Sequence, residues 1–229
     1  MIESAPVITV DGPSGAGKGT ISHMLADTLG WHFLDSGALY RVTGQACLIE
    51  GVSWDDHPAV AEVARHLEVS FSAAPSGEIL VAYRGRDVSR AIRTEGGGRG
   101  ASTVAAIPAV RQALLARQRE FRRPPGLVAD GRDMGTVVFP DADLKFYLTA
   151  SAEERARRRY KQLIAKGESV SLPRLLEDIR ERDARDSSRE VSPLVPAEDA
   201  IVIDSGNLSI PDVFAQVMLK VKEKGLIQA

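Results

Sequence analysis

Short runs of β-branched and aliphatic residues recur along the chain, and the stretches between them carry apolar residues at helical spacing. Val7-Ile8-Thr9-Val10 is such a run, ending at Asp11 and a glycine-rich turn, the pattern of a strand buried in a parallel sheet. Past the turn, Ile21, Met24, Leu25 and Leu29 share one helical face, and Gly30 stands where a C-cap is expected. Similar runs lie at Leu127-Val128-Ala129, at Leu144 to Leu148 and at Ala200-Ile201-Val202-Ile203, with a fifth at Trp31 to Leu34. Helical patterns occupy Pro108 to Phe121, Ala152 to Lys166, Leu172 to Ala184 and Pro211 to Lys224, and Ser151 with Glu154 makes a capping box at the start of the second. Strands alternating with helices predict a mostly parallel α/β sheet covered on both faces.

Two regions break this rhythm. From Glu68 to Asp87 the chain alternates apolar and polar residues, predicting strands at Glu68 to Ala73 and Glu78 to Arg84 joined by a turn at Pro75-Ser76-Gly77, a small antiparallel lobe inserted in the main fold. Gly96-Gly97-Gly98, followed by Arg99 and Gly100, reads as a linker or hinge, because adjacent glycines oppose a stable helix.

Composition narrows the partners. The 229 residues carry a net charge of -2, with 44% hydrophobic and 26% charged residues, which fits a globular chain and does not advertise binding to long nucleic acid. Cys47 is the only cysteine, excluding an intrachain disulfide and a cysteine-based zinc site. His23, His32, His57 and His66 lack the spacing of metal ligands, so no protein-only metal site is expected. The chain shows neither a signal-peptide pattern nor a run approaching the ~20 apolar residues of a membrane span, and a cytoplasmic location is the expectation.

The strongest chemical signal is Gly12-Pro13-Ser14-Gly15-Ala16-Gly17-Lys18-Gly19-Thr20, placed between a predicted strand and a predicted helix. Glycines let backbone N–H groups converge on phosphate oxygens, the helix start adds positive potential, and Lys18 reaches the outer phosphates. Gly19 stands where the general pattern has Ser or Thr after the lysine, so magnesium is expected to be held by nucleotide phosphates and water. Asp35-Ser36-Gly37-Ala38-Leu39-Tyr40-Arg41 follows the second strand: Ser36 can cap the next helix and bond an acceptor phosphate, and Arg41 offers a fork for its oxygens. An ordinary capped helix with a surface arginine gives the same pattern.

In Asp130-Gly131-Arg132-Asp133-Met134-Gly135-Thr136, the first acid ends a strand and can orient magnesium through its waters. Arg132 can neutralise phosphate charge, and Asp133 can accept from a base amino group or fix an arginine. Arg155, Arg157, Arg158 and Arg159 on one helix, then Arg182, Arg185 and Arg189 around Asp183 and Asp186, form an arginine array. Helical spacing puts Arg155 and Arg159 on one face, either as a solvated basic surface or as cations for a polyphosphate. Joining two polyanions demands several cations on a lid that shuts out water, which favours the second reading.

These motifs resemble the nucleoside monophosphate kinases and, more narrowly, the bacterial cytidylate kinases. The resemblance runs from about Pro6 to the C-terminal helix and takes in Ile92-Arg93-Thr94, Val110 to Leu115, Asp130 to Phe139 and Leu194 to Ala197. It implies a P-loop NTPase-type five-stranded parallel sheet with helices on both faces, an inserted nucleotide-acceptor domain and an arginine-rich lid. The expected divisions are 1–35 with 125–229 as core, a lid at about 155–190, and 36–124 as the acceptor region with an insert at about 67–100. It further implies ATP and CMP or dCMP as substrates, Mg2+ as cofactor, and a monomer. Carried over, the phosphate loop from Gly12 to Thr20 binds ATP, and Lys18, Arg132, Arg155 and Arg159 are catalytic. Ser36, Arg41 and Arg132 would hold the acceptor phosphate and Ser102, Arg111 and Asp133 would read the cytosine edge. Arg182, Asp186 and Arg189 would contact ribose or phosphate or brace the groups that do. The glycine triplet departs from the helix-forming residues usual there. The competing readings are a P-loop kinase of another small acceptor, a nucleotide switch, and an RNA-binding module using the Arg155 to Arg159 helix.

Overall fold

The computed structural model describes residues 5–73, 79–165 and 167–227. In chain order the elements are β1 (Val7–Asp11), α1 (Lys18–Leu29), β2 (His32–Asp35), α2 (Ser36–Glu50), α3 (His57–Arg65), β3 (Val69–Ala73), β4 (Ile79–Tyr83) and β5 (Arg86–Asp87). After a 3-10 turn at Ala91–Arg93 come α4 (Glu95–Ala105), α5 (Pro108–Arg119) and β6 (Leu127–Asp130). A π-turn at Met134–Val138 leads to β7 (Leu144–Thr149), α6 (Ala152–Ala165), α7 (Leu172–Ser187), β8 (Ile201–Asp204) and α8 (Ile210–Glu223). The chain divides into two compact units, Met1–Asp35 with Arg119–Ala229, and Ser36–Gln118.

The first unit holds a five-stranded sheet in the order β2-β6-β1-β7-β8, with every neighbouring pair parallel. All five residues of β1 are buried, as the continuous apolar run requires of a central strand covered on both faces. Ile8, Val10, Ile21, Leu25, Val128, Phe146, Leu148, Val217 and Val221 form one core cluster in which α1 and α8 pack with the sheet. Each fully buried aliphatic side chain there contributes roughly 1.5 to 3 kcal/mol. The five runs read from the sequence are the five strands of this sheet. Register aligns the strand ends, so that Val10 lies beside Asp130, Asp35 beside Asp130, and Asp11 beside Tyr147.

The second unit carries α2 to α5 and an antiparallel sheet in the order β3-β4-β5. The two inserted strands expected from alternation are β3 and β4, and β5 adds a short third. The turn expected at Pro75-Ser76-Gly77 lies outside the described residues, as do Glu78 and Lys166.

The glycine triplet is not a linker. Gly96, Gly97 and Gly98 all lie within α4, correcting the expectation drawn from their helix propensity. Thr94 caps the helix, its Oγ1 accepting from Gly97 N–H at 3.1 Å. A Cβ on Gly97 would stand 2.7 Å from the Ile92 carbonyl oxygen, and one on Gly100 would stand 2.7 Å from the Trp54 ring. A Cβ on Gly44 of α2 would lie 3.1 Å from the Gly100 carbonyl carbon, so α2 and α4 meet nearly backbone to backbone. Close packing sets Gly44, Gly97 and Gly100, and it overrides a propensity cost of about 1 kcal/mol each.

Candidate active site

Chain geometry at the end of β1 builds the phosphate loop. Gly12 has φ of 140°, and a Cβ there would fall 1.9 Å from the Leu148 carbonyl oxygen, so no other residue lets the chain leave β1 beside β7. Gly17, at φ 96°, turns the loop into α1 as its N-cap. No side chain among the described residues caps this helix, and its first turn holds no acid. The first N–H groups of α1 are therefore available to an anion, with the helix dipole pointing the same way.

Lys18 opens α1 and is buried, its Nζ donating to the Pro13 carbonyl at 3.0 Å and lying 3.8 Å from an Asp130 carboxylate oxygen. Burial pulls the Lys18 ammonium below the ordinary lysine range, and Arg132 pulls it further. Burial likewise pushes Asp130 above the ordinary carboxylate range, with Asp35 adding to the effect. A polyphosphate brought to Lys18 supplies negative charge that favours its ammonium form, so the loop is electrostatically tuned to an anion. Asp130 also comes near Gly19, whose Cβ would lie 3.4 Å from one of its oxygens. Among the described residues no three His, Cys, Asp or Glu side chains gather as a metal site.

Arg132 and Asp133 follow β6. Arg132 Nε donates to Asp186 at 3.0 Å, and Asp186 also pairs with Arg189, so these three residues meet although 54 positions separate the first two. Burial works against a charged Asp186, but Arg132, Arg189 and Arg182 outweigh it and hold its pKa below the usual carboxylate range. Asp133 is buried just before the π-turn.

The expected lid helices α6 and α7 pack on each other. Arg155 is only 3% exposed and donates to the Ala150 carbonyl at 2.9 Å, to the Ser14 carbonyl at 3.1 Å and, through both terminal nitrogens, to Asp183. It therefore ties the phosphate loop to both helices. Arg158 donates to Ser205 and Gly206 after β8, and Ser205 in turn donates to the Ala16 carbonyl at 2.8 Å, bracing the loop from below. Arg157 is exposed and pairs with Glu154. Arg159 and Arg182 are half-buried. Ser151 caps α6, accepting from Glu154 N–H at 3.1 Å, which is one half of the expected capping box, while the Glu154 carboxylate pairs with Arg157.

Within the second unit, Ser36 is buried at the first position of α2, and Arg41 one turn on donates to the Ile92 carbonyl at 2.9 Å. Ser102 is buried on α4. Arg111 on α5 donates to the Ala105 carbonyl at the end of α4, and its guanidinium lies 5.4 Å from the Tyr40 ring centroid, a cation–π contact. Three braces escaped sequence reasoning: Asp11, Asp183 and Ser205. Asp183 had a local signal, since it sits inside the arginine array, whereas Asp11 and Ser205 act on residues 123 and 189 positions away.

A glycine-built turn that carries the central strand of a parallel sheet into an uncapped helix, with a buried lysine in its first turn, defines a P-loop nucleotide-binding protein. Within that class the family model for cytidylate kinase matches residues 8–223, and the chain belongs to the cytidylate kinase family. It is 58% identical over 227 residues to the cytidylate kinase of Stutzerimonas stutzeri, covering 99% of each chain. It is 57% identical over 218 residues to that of Aeromonas salmonicida, covering 95% of this chain and 94% of that one. The fold is read from the sheet itself; a shikimate kinase from Bacteroides thetaiotaomicron overlays with a TM-score of only 0.47, at 13% identity, covering 97% of this chain and 99% of that one.

Proposed function

We propose that this chain transfers the γ-phosphoryl group of Mg-ATP to CMP or dCMP, yielding ADP and CDP or dCDP. The observation that carries the reading is the near full-length match to cytidylate kinases, in a chain whose Lys18 is buried at the uncapped start of α1.

In this reading the loop from Gly12 to Thr20 takes the ATP phosphates. Asp130, a buried carboxylate beside Lys18 and Gly19, fits a water-mediated partner for Mg2+, which would supply neutralising charge to the nucleotide phosphates. Arg132 with Ser36 and Arg41 holds the acceptor phosphate, and Ser102, Arg111 and Asp133 read the cytosine edge. Asp186 fixes the guanidinium planes of Arg132 and Arg189, while Arg182 lends positive charge nearby. The attacking oxygen of CMP is already anionic, so no general base is required. Catalysis rests on alignment and on charge stabilisation by Lys18, Arg132 and Arg159, with Arg155 holding the loop to its helices. Nucleotides are then the partners, with the chain acting as a cytoplasmic monomer; no helix among the described residues is long and apolar enough to cross a membrane.

A panel of nucleoside monophosphates and small hydroxy acids, with ADP release as readout, tests this. CMP and dCMP should be the best acceptors, and Lys18→Ala should lower turnover by orders of magnitude with an unchanged circular dichroism spectrum. Absence of CDP from the wild-type chain, or near-normal turnover in Lys18→Ala, removes the assignment.

A further inference from the structure

We infer that Asp11 is a positioning residue that couples the phosphate loop to the acceptor-reading segment Arg132-Asp133, through its two carboxylate bonds to the backbone of Met134 and Gly135. The inference rests on the function proposed above for Arg132 and Asp133. Asp11 is the last residue of β1, the middle strand of the sheet, and the chain enters the phosphate loop at the next residue. One carboxylate oxygen accepts from Met134 N–H at 2.8 Å and the other from Gly135 N–H at 2.8 Å. These amides open the π-turn, in which Val137 N–H and Phe139 N–H are satisfied from within by the Asp133 and Met134 carbonyls. The first amides of such a turn have no internal acceptor. Asp11 supplies one from a distant part of the chain.

The upstream side of the same segment is held by the residue next to Asp11. Gly131 N–H donates to the Val10 carbonyl at 3.1 Å, continuing the β1–β6 pairing. Arg132 and Asp133 are thus the only two residues between anchors supplied by Val10 and Asp11. The downstream anchor is tight: a Cβ on Gly135 would meet Thr9 Oγ1 at 2.8 Å and Lys145 Cδ at 3.1 Å. Met134 is fully buried, so the segment has no slack there.

Sequestering a carboxylate here is costly. Burial raises the Asp11 pKa to about 7 even though both amide bonds and Lys18 favour the charged form. A fold needing only a filled strand end would do as well with an apolar residue. A two-oxygen acceptor at a rigid strand end does what an apolar residue cannot, fixing two successive amides and so the direction in which Asp133 and Arg132 leave the backbone.

Asp11→Asn keeps the shape and one acceptor, and turns an NH2 group toward the other backbone N–H. The wild type and this variant are assayed with CMP and UMP at saturating ATP, and then with ATP at saturating CMP. The expected result is a rise in CMP KM of about tenfold, the scale of one lost hydrogen bond to a charged group, with a similar fall in the CMP-over-UMP ratio of kcat/KM. The KM for ATP should stay within about twofold of wild type. Unchanged pyrimidine discrimination, or equal losses toward ATP and CMP, overturns the proposal. If the variant does not fold, hydrogen exchange on the nucleotide-free wild type decides: slow exchange at the Met134 and Gly135 amides supports the anchor and fast exchange overturns it. A wild type that makes no CDP refutes the proposed function instead, so the two failures are distinct.

Discussion

At the scale of residues, the candidate site is a set of buried charges that hold one another in place. Asp186 shows the consequence for pH. Its folded pKa lies below the unfolded value because Arg132, Arg189 and Arg182 outweigh the cost of burial. A depressed carboxylate contributes stability that is fully present above its unfolded pKa of about 4 and is lost as pH falls through the lower folded value. Asp186→Asn should therefore lower the melting temperature, by the equivalent of about 3 kcal/mol for a broken buried pair. The gap to wild type should hold constant above about pH 5 and close below about pH 4, as calorimetry across that range would show. The arginine array advertised these cations in the sequence, but not their division of labour. Helical spacing put Arg155 and Arg159 on one face, whereas the bidentate partner Asp183 lies 28 positions from Arg155 and comes within reach only because α6 and α7 fold back together. Ser205 was illegible for the same reason, since its partners are Ala16 in the phosphate loop and Thr149 at the end of β7.

At the scale of elements, α4 shows how packing reverses a propensity argument. Alanine is about 1 kcal/mol better than glycine inside a helix, so Gly97→Ala ought to stabilise the chain if propensity decided. The built Cβ, 2.7 Å from the Ile92 carbonyl oxygen and 2.9 Å from that of Ala91, meets backbone that cannot swing away. Overpacking of this kind costs about 1 to 3 kcal/mol, so the expected net effect is destabilisation, seen as a lower urea midpoint at unchanged m-value. An increase in that midpoint would return the triplet to the role of a flexible joint. The parallel strands were legible because burial on both faces demands continuous apolar runs, as in β1. By contrast α3 went unread although its signals are all in the sequence: an Asp56 cap accepting from Ala59 N–H, a proline in the first turn, and Val60, Ala61, Val63 and Ala64 on one buried face of only nine residues.

At the scale of the whole molecule, a net charge of -2 conceals many arginines, and their pairing decides what the exterior offers. Arg155 is buried against Asp183, Arg157 is matched by Glu154, and Arg158 is turned onto Ser205 and Gly206. The helix that the sequence offered as a face for RNA therefore turns Arg155 and Arg158 inward and matches the exposed Arg157 with an acid. A labelled single-stranded RNA oligomer should show no rise in fluorescence anisotropy with added protein at ~0.15 M salt, and binding that falls steeply with salt would contradict this. The division of the chain carries a final consequence. Ser36–Gln118 is one uninterrupted stretch, leaving the larger unit right after β2 and returning at the last turn of α5. Only two peptide bonds join it to the rest, so the whole stretch is a single insertion into the chain between β2 and β6, two neighbouring strands of the parallel sheet.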